Sequence, residues 1–259
     1  LRAFCFLEIQ IVQLQDILYS QGFGTRRVCA GLIQHGHVQL REKGDAGGAW
    51  TCTDAGLDVD PEGLTFYVQG TAWQWHERAY VMMNKPAAVE CSQKPSTYPS
   101  VYTLLPDPLR QRPGPGKILG VQTIGRLDQD TTGLLLLSDD GSFIHRVSSP
   151  KKQIQKTYRV HAKYDLSQQQ KDQLLKGVVL NDDPKPVIAV DCVLQEGPVF
   201  DLTVTEGKYH QIKRMVAAVG NRVEQLHRIR IGGLHLPDDL RAGDWRWLRE
   251  EDVRRIFEG

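Results

Sequence analysis

Gly125-Arg126-Leu127-Asp128-Gln129-Asp130-Thr131-Thr132-Gly133, continued by Leu134-Leu-Leu-Leu-Ser138-Asp-Asp-Gly141, is the stretch on which the reading of this 259-residue chain turns. A polar turn carrying acids lies between apolar runs, so a carboxylate is projected from a rigid scaffold, the usual seat of chemistry. Residue type alone favours a plainer role for such an Asp, the stabilising of a turn.

Working outward, alternating and apolar runs predict strands at 79–84, 121–127, 133–138, 156–162, 187–194, 199–205 and 226–231. Helices are expected at 166–176, behind the capping pattern Asp165-Leu-Ser-Gln, at 209–219, where Ile212, Met215, Val216 and Val219 recur at helical spacing, and at about 249–257. Segment 106–117, with four prolines and two glycines, reads as an irregular connection. Asp139 and Asp140 read as the close of a hairpin. Helices placed irregularly among seven strands predict an α+β fold with a mainly antiparallel mixed sheet and flanking helices.

Before residue 76 the composition changes. Leu14, Ile17 and Leu18 make a helical face broken by Gly22 and Gly24, a second helix follows the N-cap Thr25, and 37–40 alternates like a strand. Residues 41–63 read as a turn-rich loop, and TFYVQG as a further strand. The division predicts two domains, 1–75 and 76–259. Residues 1–78 hold six Lys and Arg against nine Asp and Glu, although the whole chain is only +1. Residues 207–233, by contrast, carry Lys208, Lys213, Arg214, Arg222, Arg228 and Arg230 against Glu224 alone, a concentration able to neutralise phosphates. No run is long and apolar enough for a membrane span, and the opening LRAFCFLEIQIV lacks the cleavage pattern of a secretory signal. Five scattered cysteines without C-x-x-C spacing fit a reducing cytoplasm better than a disulfide framework or a zinc site.

The stretch 125–141 resembles the signature of the pseudouridine synthases of small-subunit (16S) ribosomal RNA and related large-subunit families, in which the Asp of G-R-L-D is catalytic. Three further segments agree in order and spacing across about 79–250: Tyr80-Val-Met-Met-Asn84-Lys85-Pro86 with the N-K-P entry strand, Gln155-Lys156-Thr157-Tyr158-Arg159-Val160 with the K-T-Y segment, and Glu206-Gly-Lys-Tyr-His210-Gln-Ile-Lys213-Arg214-Met215 with E-G-x-x-x-Q-[IV]-[RK]-R-M. Thr25-Arg26-Arg27 with Ile33, Gly36 and Val38 is similar to the small alpha-L RNA-binding domain that commonly precedes this family, here behind an atypical N-terminal extension. Ala88 stands where the family usually has Gly.

The resemblance implies the pseudouridine synthase fold and an isomerase that cleaves the uridine C–N bond, turns the base and joins C5 to C1′. No cofactor and no metal is required. It implies Asp128 as the catalytic carboxylate, Tyr158 facing the uracil ring, and Lys213 paired with Asp128. Arg214 lies about 100° further around the helix and is assigned to phosphate or structural pairing. Arg126, Lys156, Asn84, Lys85, Arg26 and Arg27 complete the substrate- and RNA-binding set. Asp130 is assigned to the turn, the pairs Lys151/Lys152 and Arg228/Arg230 to general RNA backbone contacts, and His145, His210 and His227 to structure or RNA contact. The expected partner is ribosomal RNA or an assembling ribosomal subunit, acted on in the cytoplasm by a monomer. A synthase for a uridine of 23S or transfer RNA, and a non-catalytic RNA-binding assembly factor, stay as alternatives. A glycoside hydrolase would need a second matched acid, and none stands out.

Overall fold

Leu134–Leu137 are all fully buried because they form the middle of a strand covered on both faces. The computed structural model describes residues 11–41, 48–114, 119–180 and 183–258, so the N-terminal extension through residue 10 and the turn-rich stretch 42–47 lie outside the described residues. The chain divides into two units, 1–79 with 106–121, and 80–105 with 122–259.

In the smaller unit, α1 (Leu14–Gln21) and α2 (Arg26–Gln34) stand with an antiparallel sheet of β1 (Val38–Arg41), β2 (Trp50–Cys52), β3 (Thr65–Val68) and β4 (Thr71–Gln74). Thr25 caps α2 through its side chain, as its residue type predicts. Leu14, Ile17, Leu18, Ile33, Val38, Leu40 and Phe66 build the core. Segment 106–117 is not wholly irregular: Asp107–Gln111 forms a short helix, α3, whose start tolerates Pro108 because the first turn has no partner for that amide. It returns to this unit, where the buried Arg112 guanidinium donates to the Gln21 side chain at 2.8 Å and to the backbone carbonyls of His76 at 2.8 Å and Glu77 at 3.2 Å.

The larger unit is built on a nine-stranded sheet. Its strands are β5 (Tyr80–Lys85), β6 (Gln122–Thr123), β7 (Thr132–Ser138), β8 (Lys156–Ala162), β9 (Asp191–Leu194), β10 (Val199–Val204), β11 (Val223–Ile231), β12 (Leu234–His235) and β13 (Trp245–Trp247). The spatial order is β9-β10-β8-β11-β7-β5-β13, with β6 beside β7 and β12 beside β11. Every pairing is antiparallel except β11 with β7, where His227 faces Thr132 and Arg228 faces Gly133. The mixed, mainly antiparallel sheet is the α+β arrangement expected. Met82, Leu134, Leu136, Phe143, Val147 and Ile231 form the core on one face.

In the smaller unit the stretch 41–63, expected as a loop, holds the strand β2; three expectations for the larger unit also need correction. The strand predicted at 121–127 is only Gln122–Thr123, because the backbone turns away at Ile124 and Gly125 to form the Asp128 loop. The run 187–194 divides into Asp183–Val187 and Asp191–Leu194. Asp140 closes no hairpin: its carboxylate accepts the amides of Ser142 and Phe143 and caps the helix α4 (Gly141–Ser148). Helices α5 (Gln168–Lys176) and α6 (Gln211–Ala218) fall where predicted, although the α5 capping box is Ser167 with Gln170.

Candidate active site

The loop between β6 and β7 is held from inside by Lys85. This side chain is fully buried at the end of β5, and its ammonium donates to the carbonyls of Pro86 at 3.0 Å, Asp128 at 3.0 Å and Thr131 at 2.9 Å. Burial pulls its pKa down, while Cys91, Asp130 and Asp128 act in the opposite direction. A lysine so enclosed does not reach RNA, which corrects its assignment to the binding set. Asn84 is likewise turned inward, donating to the Leu240 carbonyl at 2.8 Å. Gly133 ends the loop at φ +100°, and a Cβ there would lie 2.3 Å from the Arg228 carbonyl oxygen. Glycine is thus required at the parallel joint, where the two backbones approach.

The loop leaves the Asp128 side chain 28% exposed. Lys213, in the first turn of α6, places its ammonium 3.4 Å from one Asp128 oxygen, and His210 Nε2 lies 3.5 Å from the other. Lys213 sits closer still to Asp130, at 2.7 and 2.9 Å from its two oxygens. Asp130 is therefore more than a turn residue: it shares the cation with Asp128. Burial would raise the Asp130 pKa, but the Lys213 hydrogen bond and charge outweigh it and hold the group below its ordinary value.

A cavity of about 70 Å³ opens beside Asp128, bordered by Arg126, Thr131, Tyr158, Lys208, His210 and Leu226. Tyr158 is buried on β8, opposite Arg228 on β11. The Arg228 guanidinium is 2% exposed and donates to the Leu134 carbonyl at 2.7 Å and the Tyr158 hydroxyl at 3.4 Å. It is part of the interior, not a phosphate contact. Arg230 is also committed, to the Thr157 hydroxyl at 3.1 Å and the Gly232 carbonyl at 3.2 Å. Lys156 turns onto the Ile154 carbonyl at 3.0 Å, and burial together with Arg228 pushes its pKa down to about 8. His227 pins the loop end through Thr132 Oγ1 at 2.7 Å.

Arg126 is exposed at the cavity, Lys151 and Lys152 are exposed in the turn before β8, and Arg214 donates to the Tyr209 carbonyl at 3.2 Å. In the smaller unit Arg27 is exposed, and Arg26 pairs with Asp16 and lies over the Tyr19 ring. Asp128, Tyr158 and Lys213 thus converge on one side of the larger unit, joined by His210, whose role beside Asp128 sequence reasoning missed. The signal was available, since His210 lies three residues before Lys213 at the start of the same helix. Among the described residues no group of three or more His, Cys, Asp or Glu side chains is placed to hold a metal ion.

The Asp128 carboxylate, sharing Lys213 with Asp130 and set at a tyrosine-lined cavity on this mixed sheet, fits an isomerase of the kind that rebuilds a nucleoside bond. The sequence profile described as RNA pseudouridylate synthase matches residues 79–218. The ribosomal small subunit pseudouridine synthase A of Escherichia coli K12 is 38% identical over 244 residues, covering 93% of this chain and 98% of that protein. An uncharacterised RNA pseudouridine synthase of Bacillus subtilis is 36% identical, covering 95% and 99%. A crystal structure of a pseudouridylate synthase superposes with a TM-score of 0.64 at 30% identity, covering 95% of this chain and 99% of that one. The chain belongs to the RNA pseudouridylate synthase family.

Proposed function

We propose that this enzyme converts a uridine of 16S ribosomal RNA to pseudouridine, acting as a monomer in the cytoplasm on the RNA or on an assembling small subunit. The observation that carries the reading is Asp128, partly exposed at the Tyr158 cavity with Lys213 and His210 within 3.5 Å of its oxygens. The uridine swings out of its stack so that its base enters the cavity against Tyr158. The N1–C1′ bond breaks, the uracil turns, C5 bonds to C1′, and the C5 proton is released while N1 gains one. Attack by Asp128 at C1′, its addition to the ring and its removal of the C2′ proton all require an ionised carboxylate, and the Lys213 ammonium is its neighbouring cation at 3.4 Å. Arg228 only donates, so the Tyr158 oxygen accepts from it and the phenol is held in one orientation. Arg126, Lys208, Lys151 and Lys152 are suited to the RNA backbone. The smaller unit, through Arg27 and Arg26, serves as the RNA-docking module.

The test is single-turnover tritium release from C5-labelled uridine in 16S ribosomal RNA. Asp128→Asn keeps the shape of the side chain and removes its charge, and is expected to abolish release while RNA binding stays within about twofold. Substantial release by Asp128→Asn would show that another residue is catalytic. No release by the wild type from 16S RNA, with release from 23S or transfer RNA, would move the substrate.

A further inference from the structure

Asp128 and His210 border two cavities, not one. Beyond the Tyr158 cavity, a wider groove of about 350 Å³ runs along their other side, with Asp130 and Lys213 in it and the segment Ser96–Tyr98 as its far wall. This wall is rigidly built. The Glu90 carboxylate accepts the amides of Ser96, Thr97 and Tyr98 at 3.0, 2.8 and 2.9 Å, and these three bonds draw its pKa down to about 2. The amides of Glu90 and Val101 tie the segment's two ends together through the carbonyls of Pro99 and Glu90. Tyr98 itself is 37% exposed. In the same groove His210 opens α6 at φ +49°, with its ring stacked on Tyr209 at 3.8 Å between centroids.

The juxtaposition matters because an RNA strand cannot end at its reacting nucleotide. If the target uracil occupies the Tyr158 cavity and its sugar lies at Asp128, the strand continues past the same carboxylate, which also borders the wider groove. Extruding the uridine also removes a stacking partner from its neighbour, a loss that an aromatic platform offsets. We propose that the groove is a subsite for the base of the nucleotide directly adjoining the target uridine, which stacks on Tyr98. This rests on the proposed function and adds a second recognition element to it. Stacking makes the subsite tolerant of base identity, since every base has a π face.

The experiment uses the full chain and an RNA oligonucleotide holding the modified uridine, with an abasic ribose placed directly 5′ or directly 3′ of it. Kd is measured for the wild type, Tyr98→Ala and Tyr98→Phe. Glu90 binds the backbone amide of residue 98, so Tyr98→Ala keeps the wall. For the wild type, one of the two abasic positions is expected to weaken binding about tenfold. Tyr98→Ala is expected to bind intact RNA weaker by a similar factor and to lose nothing further on the abasic RNA, the mark of two changes removing one contact. Tyr98→Phe is expected to behave as wild type. Losses that multiply, or wild-type affinity in Tyr98→Ala, would overturn the subsite even if the enzyme forms pseudouridine normally. Binding that follows the expected pattern with no pseudouridine formed on intact RNA would instead sink the functional reading and leave the groove standing.

Discussion

Lys213 is held by two carboxylates, and this sharing decides the character of Asp128. At 3.4 Å, with the shorter contacts going to Asp130, the Lys213 ammonium stands beside Asp128 without capping its lone pairs. Ala88 supports the same loop from the other side, donating its amide to the Gln129 carbonyl at 2.8 Å. It does so at φ +60°, the left-handed region, where a Cβ costs about 1–2 kcal/mol. The family's glycine removes this strain but gains freedom in the unfolded chain, which offsets roughly half of the benefit. Ala88→Gly is expected to stabilise by about 0.5 kcal/mol, seen as a rise of about 1–2 °C in Tm. A lower Tm by calorimetry would mean that the backbone at 88 relaxes in a way that the φ angle does not convey.

Strand β8 was legible to the residue, since its alternation of apolar and polar side chains over 156–162 fits one strand buried mainly on one face. Helix α4 was not, because Asp139-Asp140-Gly141 is also turn chemistry; only the four-residue spacing of Phe143 and Val147 pointed to a helix. The four matching segments placed Asp128, Tyr158 and Lys213, but the inward turn of Lys85, Lys156 and Arg228 was hidden. Basic side chains in a nucleic-acid enzyme read as phosphate contacts, and only the fold reveals carbonyl oxygens waiting for them. The segment around Glu90 shows a similar concealed dependence. Its carboxyl is depressed from 4.5 to about 2 by three amide bonds, so its support is complete above about pH 4.5 and fades as pH falls toward 2. Amide exchange at Ser96–Tyr98, corrected for intrinsic rates, is expected to lose protection over that interval in the wild type. Glu90→Ala should show low protection throughout, and a wild-type segment still protected at pH 2 would remove Glu90 from this role.

The two units differ in charge, and the chain does not pass between them only once. Residues 1–78 are net acidic while the basic stretch 207–233 belongs to the larger unit. A cut near residue 75 follows the change in composition, yet 106–121 packs with the smaller unit, burying Leu109, Arg112 and Val121 to 2% exposure or less. No local pattern in a proline-rich connection announces such a return, since its partners lie some 90 residues upstream, as Arg112 and Gln21 do. Deleting 1–75 alone is therefore expected to leave three interior side chains, one a guanidinium, without their surroundings, and to give an aggregating protein. Deleting 1–78 and replacing 106–121 with about six Gly and Ser residues removes the whole unit. The ends to be joined already lie near one another, as the Thr123 amide donates to the Tyr102 hydroxyl at 3.0 Å. This second deletion is expected to be soluble and cooperatively folded, and to retain the Asp128 site. Its kcat on saturating RNA should be within a few-fold of the full chain, while its Kd for 16S RNA rises at least tenfold as the docking contacts of Arg26 and Arg27 are lost. Equal Kd values for the two proteins would show that the smaller unit does not dock RNA, and that recognition resides wholly in the groove and basic surface of the larger one.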